Sequence, residues 1–276
     1  MFTLNCNGRL LTIDKPIVMG IINTTPDSFY AGSRKYSIDA ALEQATAMLQ
    51  QGATVLDIGG QSTRPGSDLV SENEEADRVL PIIEAVAGTF PQAFISVDTF
   101  YAGVARQSAA AGAAIINDVS GGTIDETMLP TVGTLHLPYV CMHIKGTPQT
   151  MQQYATYDDV AKEVLDYFIQ KLNKCKAAGI HDVIVDPGFG FAKTIAHNLR
   201  LLRNLPVFDI LEKPLLVGLS RKGTVQKTLN VPAAEALNGT TVLHTIALLN
   251  GAHILRVHDV KEAIEAIKMV DAYKGS

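Results

Sequence analysis

Eight short apolar segments recur along this chain, and polar residues follow each of them. The segments are Ile17–Ile22, Thr54–Ile58, Phe94–Val97, Ala114–Ile116, Tyr139–Met142, Val183–Val185, Leu215–Val217 and His253–Val257. Most contain too many consecutive apolar residues for a strand with one face in water. This pattern is typical of strands that are buried on both faces, as in a parallel sheet.

Helical patterns occupy much of the sequence between these segments. They cover Ser37–Gln51, Ala76–Ala87, Phe100–Ala111, Thr156–Ala178, Pro232–Asn250 and His258–Ala272. A glycine follows the first of them at Gly52, a residue type that often ends a helix. Ser71 and Glu74 have the spacing of a capping box before the second. The alternation of strand and helix predicts repeated βα units.

Eight such units predict a (β/α)8 TIM barrel, and Asn7-Gly8 between two short apolar stretches predicts an N-terminal β-hairpin over residues 1–14. We expect one domain over residues 1–276, because no linker or composition shift marks a boundary. A doubly wound open sheet is the alternative. Its glycine-rich turn is not found after the first segment, where Asn23 begins a polar stretch. Gly188-Phe-Gly190 resembles the start of such a turn only weakly, since Lys193 takes the third glycine position.

The amino-acid composition limits the kinds of partner that this protein is expected to bind. The 276 residues carry a net charge of −5, so a broad nucleic-acid surface is not expected. No apolar run reaches the ~18–20 residues of a membrane span, and the first residues lack a secretory pattern. The three cysteines are far apart and predict neither a zinc site nor a disulfide framework. We therefore expect a cytoplasmic protein that binds neither membrane nor nucleic acid.

Polar side chains follow the apolar segments where the active site of a barrel would lie. Asp98, Asn117, Asp186 and Lys222 suit an amino-substituted, nitrogen-rich heterocycle, because carboxylates accept paired N–H bonds and a carboxamide both donates and accepts. Arg64, Arg256, His258 and Asn23 suit a phosphate or pyrophosphate with Mg²⁺. The alternative is structural: a lone Asp often caps a helix, and a lone cation is often only solvated.

Eight motifs occur in an order that resembles the dihydropteroate synthase family. They are Asn23-Thr-Thr-Pro-Asp-Ser-Phe29, Asp57-Ile-Gly-Gly-Gln-Ser-Thr-Arg-Pro-Gly66, Ser96-Val-Asp-Thr99, Ile116-Asn-Asp-Val-Ser120, Met142-His-Ile-Lys-Gly-Thr-Pro148, Asp186-Pro-Gly-Phe-Gly-Phe191, Ser220-Arg-Lys222 and Arg256-Val-His-Asp259. The match runs from about residue 17 to the C-terminus. The first two motifs are specific, whereas the others matter through their order.

The resemblance implies a (β/α)8 barrel that joins 6-hydroxymethyl-7,8-dihydropterin pyrophosphate to 4-aminobenzoate in folate synthesis. The resemblance also implies that the protein forms a homodimer and that sulfonamides act on it as mimics of 4-aminobenzoate. Carried over by motif, Asp98, Asn117, Asp186 and Lys222 would hold the pterin. Asn23, Arg64, Arg256 and His258 would serve the pyrophosphate and its Mg²⁺. Thr63, Pro65, Phe191 and Ser220 would line the 4-aminobenzoate side.

Some residues depart from the family pattern. Gln61 stands where Glu is common, Lys145 where Arg is common, Thr24 where Val is common, and Ala31-Gly-Ser33 replaces an Asp-Gly-Gly run. Two alternative functions remain at this point: a pterin-binding methyltransferase domain of related fold, and a non-catalytic paralogue. The first and second polar loops argue against the methyltransferase, and the intact site residues argue against the paralogue.

Overall fold

The strands form one barrel and one hairpin in a computed structural model that describes residues 1–24, 34–61 and 69–276. The hairpin strands are β1 (Phe2–Cys6) and β2 (Arg9–Ile13). The barrel strands are β3 (Ile17–Asn23), β4 (Val55–Gly59), β5 (Phe94–Asp98), β6 (Ile115–Asp118), β7 (Tyr139–Met142), β8 (Val183–Asp186), β9 (Leu216–Val217) and β10 (Ile254–Val257). All eight predicted barrel strands are therefore confirmed, with ends that differ by at most two residues.

The barrel strands are parallel and follow one another in chain order. Hydrogen bonds join β3 to β4 and so on to β8, and β10 pairs with both β3 and β9. An isolated parallel bridge between Val185 and Leu215 brings β8 beside β9. The eight strands thus form a nearly closed barrel, which confirms the predicted fold class and excludes the open sheet.

Helices follow the barrel strands. They are α1 (Arg34–Gln51), α2 (Glu72–Thr89), α3 (Ala102–Ala111), α4 (Met128–Leu135), α5 (Val160–Ala177), α6 (Ile195–Arg203), α7 (Gly223–Leu229), α8 (Leu237–Leu249) and α9 (Val260–Gly275). Ser71 caps α2 through a hydrogen bond from the Glu74 amide, as the sequence predicts. The short helices α4, α6 and α7, of 8, 9 and 7 residues, were not predicted.

The predicted start of the helix over Pro232–Asn250 is wrong. Residues Ala233–Glu235 form a 3₁₀ turn, and α8 begins only at Leu237. The carbonyl oxygens of Ala233 and Ala234 each accept a hydrogen bond from Arg221 Nη1 at 2.7 Å. In a continuous helix these carbonyls would accept the amides four residues on. Arg221 therefore takes the acceptors that a longer helix needs.

The hairpin closes the amino-terminal end of the barrel. Asn7 and Gly8 have φ values of 55° and 81°, which the tight turn between β1 and β2 requires. Leu4, Leu11 and Ile13 pack in one cluster with residues near the start of the barrel strands. Polar groups that serve a ligand must therefore lie at the opposite end. In the described part of the chain, no helix is long and apolar enough to span a membrane.

Candidate active site

A buried network of charged and amide groups lies at the carboxyl ends of the barrel strands. Arg256 Nε donates to Asp57 Oδ2 at 2.6 Å, and its Nη2 donates to Asp98 Oδ2 at 2.6 Å. Asn117 Nδ2 donates to the same Asp57 oxygen at 3.0 Å. Asp57 is fully buried and Asp98 is 8% exposed, so water screens these ion pairs little.

Strand register brings these side chains together. Asp98 ends β5 and lies opposite Asn117 of β6. Gly59, two residues after Asp57 on β4, lies opposite Asp98 on its other side. Because side chains of a parallel sheet alternate between its faces, Asp57 and Gly59 lie on the same face. The short polar ends of neighbouring strands therefore converge in the mouth of the barrel.

Burial shifts the protonation equilibria of this network. Burial is the main cause that raises the pKa of Asp98 to about 7, and Asp57 adds to this while Arg256 opposes it. Burial also raises the pKa of Asp186, which Lys222 opposes. Burial lowers the pKa of Lys222 to about 8, which Asp186 opposes. For Arg256, burial works against the charge, but Asp57 and Asp98 hold its pKa above the ordinary value.

Lys222 joins this network to an aromatic wall. Its Nζ donates to the Phe189 carbonyl oxygen at 2.7 Å and lies 4.7 Å from the centre of the Phe191 ring. Phe191 is 8% exposed. Ser220 is also buried, and its hydroxyl oxygen lies 3.0 Å from His258 Nδ1. The site therefore has a charged inner part and a second side made by Phe191, Ser220 and His258.

His258 is a neutral hydrogen-bonding group at neutral pH rather than a cation. Its ring reaches solvent at the edge of the site. The protein atoms packed around it, and then the charge on Arg256, lower the pKa of His258 below its usual value. A neutral imidazole can still donate a hydrogen bond to a phosphate oxygen from the nitrogen that Ser220 does not contact.

The structure brings together most of the residues that the sequence predicts. Asp98, Asn117, Asp186, Lys222 and Arg256 belong to one electrostatic network. Phe191, Ser220 and His258 border it. Asn23 ends β3, next to Gly59 of β4. Thr63, Arg64 and Pro65 lie outside the described residues.

Two findings go beyond the sequence. Arg256 was grouped with the pyrophosphate residues, but its guanidinium is bound to Asp57 and Asp98, on the predicted pterin side. Asp57 was not assigned to the site at all, although it links Arg256 to Asn117. The available signal was a carboxylate inside an otherwise apolar strand, which is costly unless the charge is paired.

Known proteins resemble this chain both in sequence and in architecture. The pattern of the pterin binding enzyme family matches residues 19–258. Dihydropteroate synthase of Escherichia coli K12 is 45% identical over 271 residues, which cover 98% of this chain and 95% of the relative. The structure is similar to that of Yersinia pestis dihydropteroate synthase in complex with a sulfonamide drug, with a TM-score of 0.94, 44% identity and complete coverage of both chains. It is also similar to that of the Xanthomonas albilineans enzyme with 4-aminobenzoic acid, with a TM-score of 0.93, 39% identity, and coverage of 99% of this chain and 98% of the other. The chain belongs to the dihydropteroate synthase family.

Proposed function

We propose that this protein condenses 6-hydroxymethyl-7,8-dihydropterin pyrophosphate with 4-aminobenzoate to give 7,8-dihydropteroate and pyrophosphate. The observation that carries the proposal is the buried network of Asp57, Asp98, Asn117 and Arg256 beside Asp186 and Lys222. The similarity to dihydropteroate synthases over nearly the whole chain supports it.

The network suits a pterin ring. A pterin presents an amino group and ring N–H groups next to ring acceptors. Asp98 and Asp186 would accept from the N–H groups, and Asn117 would both donate and accept. Lys222 would donate to an acceptor on the ring. Because these side chains are already ordered among themselves, little conformational entropy is lost when the ring binds.

The reaction exchanges one bond at the methylene carbon of the pterin for another. The bond from this carbon to the pyrophosphate oxygen breaks, and the oxygen keeps the electron pair. The arylamine nitrogen then forms the new bond and releases a proton. The pterin ring spreads the positive charge that develops on the carbon, and the carboxylates of Asp98 and Asp186 stabilise it. No protein nucleophile is needed.

The leaving group carries negative charge that the site must stabilise. Arg64 and the charge on Arg256 would do so, with a hydrogen bond from His258. Arg256 already pairs with two carboxylates through Nε and Nη2. It would therefore act on the pyrophosphate mainly through its Nη1 donors and its positive charge. Arg64 is then the principal cation for the pyrophosphate.

Mg²⁺ fits the donor set at the end of β3. Asn23 offers a hard amide oxygen there, and Mg²⁺ usually takes one or two protein oxygens while phosphate oxygens and water complete its shell. No group of three histidine, cysteine or acidic residues that could hold a metal occurs in the described ranges. A site completed by substrate is consistent with that finding. When bound, Mg²⁺ would neutralise charge on the pyrophosphate.

The 4-aminobenzoate would lie beside the pterin, against Phe191 and Ser220, and the family motif assigns Thr63 and Pro65 to the same pocket. Phe191 offers an apolar face for the aromatic ring. Ser220 carries a hydroxyl and comes before the cationic Lys222, so this side of the site suits a carboxylate-bearing ring. A sulfonamide that copies the arylamine would compete for the same place.

A homodimer would cover an apolar face on the outside of the barrel. Val242, Ile246 and Leu249 share one side of α8 and are 51%, 38% and 43% exposed. Leu229, at the end of the neighbouring α7, is 49% exposed. Adjacent exposed apolar side chains of this kind mark protein interfaces. Sedimentation should give twice the chain mass of 29.6 kDa. The three cysteines are free and buried, which agrees with a cytoplasmic location.

A turnover assay tests the proposed function. The protein, Mg²⁺ and both substrates should give 7,8-dihydropteroate and pyrophosphate in equal amounts, separated by chromatography. Omission of 4-aminobenzoate should abolish the pteroate product. Binding without turnover would instead support a non-catalytic paralogue, and methyl transfer from methyl-tetrahydrofolate to a corrinoid would support the methyltransferase.

A further inference from the structure

The turn that follows β8 has an unusual backbone. Gly188, Gly190 and Ala192 have φ values of 73°, 85° and 50°. Glycine adopts such values freely, but at Ala192 the Cβ makes this conformation unfavourable. The turn carries Phe191 between two of these residues. Contacts with the rest of the protein must therefore hold the turn in place.

Lys193 supplies several of these contacts from inside the protein. Its Nζ lies 3.0 Å from the Gly188 carbonyl oxygen, 3.1 Å from the Phe191 carbonyl oxygen and 2.9 Å from His143 Nδ1. Lys193 is only 4% exposed. A lysine ammonium has three N–H donors, so these three acceptors satisfy it completely.

The charges around Lys193 agree with this pattern. Burial, and then the charges of Lys193 and Lys145, hold the pKa of His143 well below its usual value. His143 is therefore neutral, and its Nδ1 can accept. Burial lowers the pKa of Lys193 to about 7, while Asp186 opposes that shift. The three acceptors further favour the protonated amine.

A second lysine holds the same turn from the other side. Lys222 Nζ donates to the Phe189 carbonyl oxygen, and Asn198 Oδ1 accepts the Gly190 amide at 2.9 Å. Lys222 will also be engaged by substrate. Lys193 cannot reach the pterin network in this way, because all three of its donors point to the turn and to His143. Lys193 therefore has no donor left for substrate, although its charge acts on Asp186.

We propose that Lys193 is a positioning residue that fixes the turn after β8, and with it Phe191, against the 4-aminobenzoate. The inference rests on the proposed function, and it adds a residue that acts through Phe191 without touching substrate. Loss of the Lys193 donors should free the Gly188 and Phe191 carbonyls together. The Phe191 ring should then lose its fixed place, whereas Asp98, Asn117 and Arg256 keep theirs.

Lys193→Met tests the proposal, because methionine keeps the length and most of the volume but has no donors. We expect the KM for 4-aminobenzoate to rise about tenfold or more, as for the loss of a charged hydrogen bond. The affinity for the pterin substrate, measured by calorimetry, should stay within about twofold of wild type. A change of that size corresponds to a negligible difference in binding free energy.

Lys171→Met is the matched control. Lys171 is 7% exposed and donates to the Gly121 carbonyl oxygen in another loop, so its loss should destabilise the fold without raising the KM for 4-aminobenzoate selectively. If Lys193→Met does not fold, Lys193→Arg, which keeps a cation but changes its geometry, should still raise that KM selectively.

Equal changes for both substrates, or none, would overturn the proposal. Failure of the proposed function is distinguishable, because wild-type protein would then give no dihydropteroate at all.

Discussion

Single buried charges in this site are stabilised by one another. Arg256 lies between Asp57 and Asp98, and Asn117 shares the Asp57 oxygen that Arg256 contacts. Removal of one partner from such a group leaves the others buried and unpaired, which costs more than the pair contributes to stability. The network is therefore rigid before substrate arrives, and its residues are poor candidates for neutral substitution.

Lys222 should be needed for activity, whereas Lys227, five residues further along the chain, should not. Lys222 lies within the site beside Phe191, whereas Lys227 is exposed on α7. Lys222→Ala should lower kcat/KM by about tenfold or more, because a charge-assisted hydrogen bond is worth roughly 1.5–3 kcal/mol. Lys227→Ala should change kcat/KM by less than about twofold, within the ±0.5 kcal/mol usual for surface substitutions. Steady-state kinetics of both variants check this, and equal losses would show that the placement of Lys222 in the site is wrong.

Residue identities in the site were easier to predict than residue partners. Asp98, Asn117 and Asp186 end or follow apolar segments, and strand ends converge in any barrel. Asp57 lies inside its segment, so that rule does not find it. Arg256 was placed with the pyrophosphate because arginine suits phosphate. Which anions an arginine meets depends on side chains brought from β4 and β5, and no local pattern encodes that.

Among the helices, α2 carries a buried carboxylate that the proposed chemistry does not use. Glu75 is fully buried, and neither of its carboxylate oxygens has a hydrogen-bond partner within the part of the chain that is described. Burial is the main cause that raises the pKa of Glu75 to about 8, and the charge of Asp98 adds to it. The acid is therefore protonated in the folded protein over a range where the unfolded chain is ionised.

This difference predicts how Glu75 affects stability. The folded state binds one more proton than the unfolded state between about pH 4.5 and 8, so the free energy of unfolding falls as pH rises through that range. Glu75→Gln removes the titration. Relative to wild type, the variant should gain stability between pH 5 and pH 9, on the order of a few kcal/mol. Urea denaturation at the two pH values measures this gain, and a constant difference would mean that Glu75 is ionised in the folded protein.

Element boundaries show where local patterns stop being informative. The strands were predicted to within two residues, because burial on both faces leaves a direct apolar signal. Helix α5 was predicted from Thr156 but begins at Val160, because Asp159 accepts from the amides of Ala161 and Lys162 and caps it there. The interruption before α8 depends on Arg221, which reaches across from another loop. Contacts of this kind are tertiary and leave no periodic trace.

At the scale of the whole molecule, the two ends of the barrel have different tasks. The hairpin packs apolar side chains into the amino-terminal end, and the charged network fills the carboxyl-terminal end. The first and second long loops begin at this second end, after Asn23 and Gly59. Their sequences are rich in Gly, Ser, Thr and Pro, and the second contains Arg64, a predicted pyrophosphate residue.

We therefore expect ordered binding. Pyrophosphate and Mg²⁺ would bridge Asn23, at the end of β3, and Arg64 of the second loop, and so complete the 4-aminobenzoate pocket. In titration calorimetry, 4-aminobenzoate should bind the free protein weakly and bind well once pterin, pyrophosphate and Mg²⁺ are present. Arg64→Ala should reduce this enhancement. Equal affinity for the free and the loaded protein would contradict the ordered mechanism.

The central claim is that the buried carboxylates at the carboxyl end of the barrel bind a pterin. Titration of 6-hydroxymethyl-7,8-dihydropterin pyrophosphate into wild type, Asp98→Ala and Asp186→Ala tests it most directly. Asp166→Ala is the control, because Asp166 forms an exposed ion pair with Lys162 on α5. Each site variant should lose about fivefold to 150-fold in affinity, corresponding to roughly 1–3 kcal/mol for ligand N–H groups left without an acceptor. Wild-type affinity in both site variants would contradict the account.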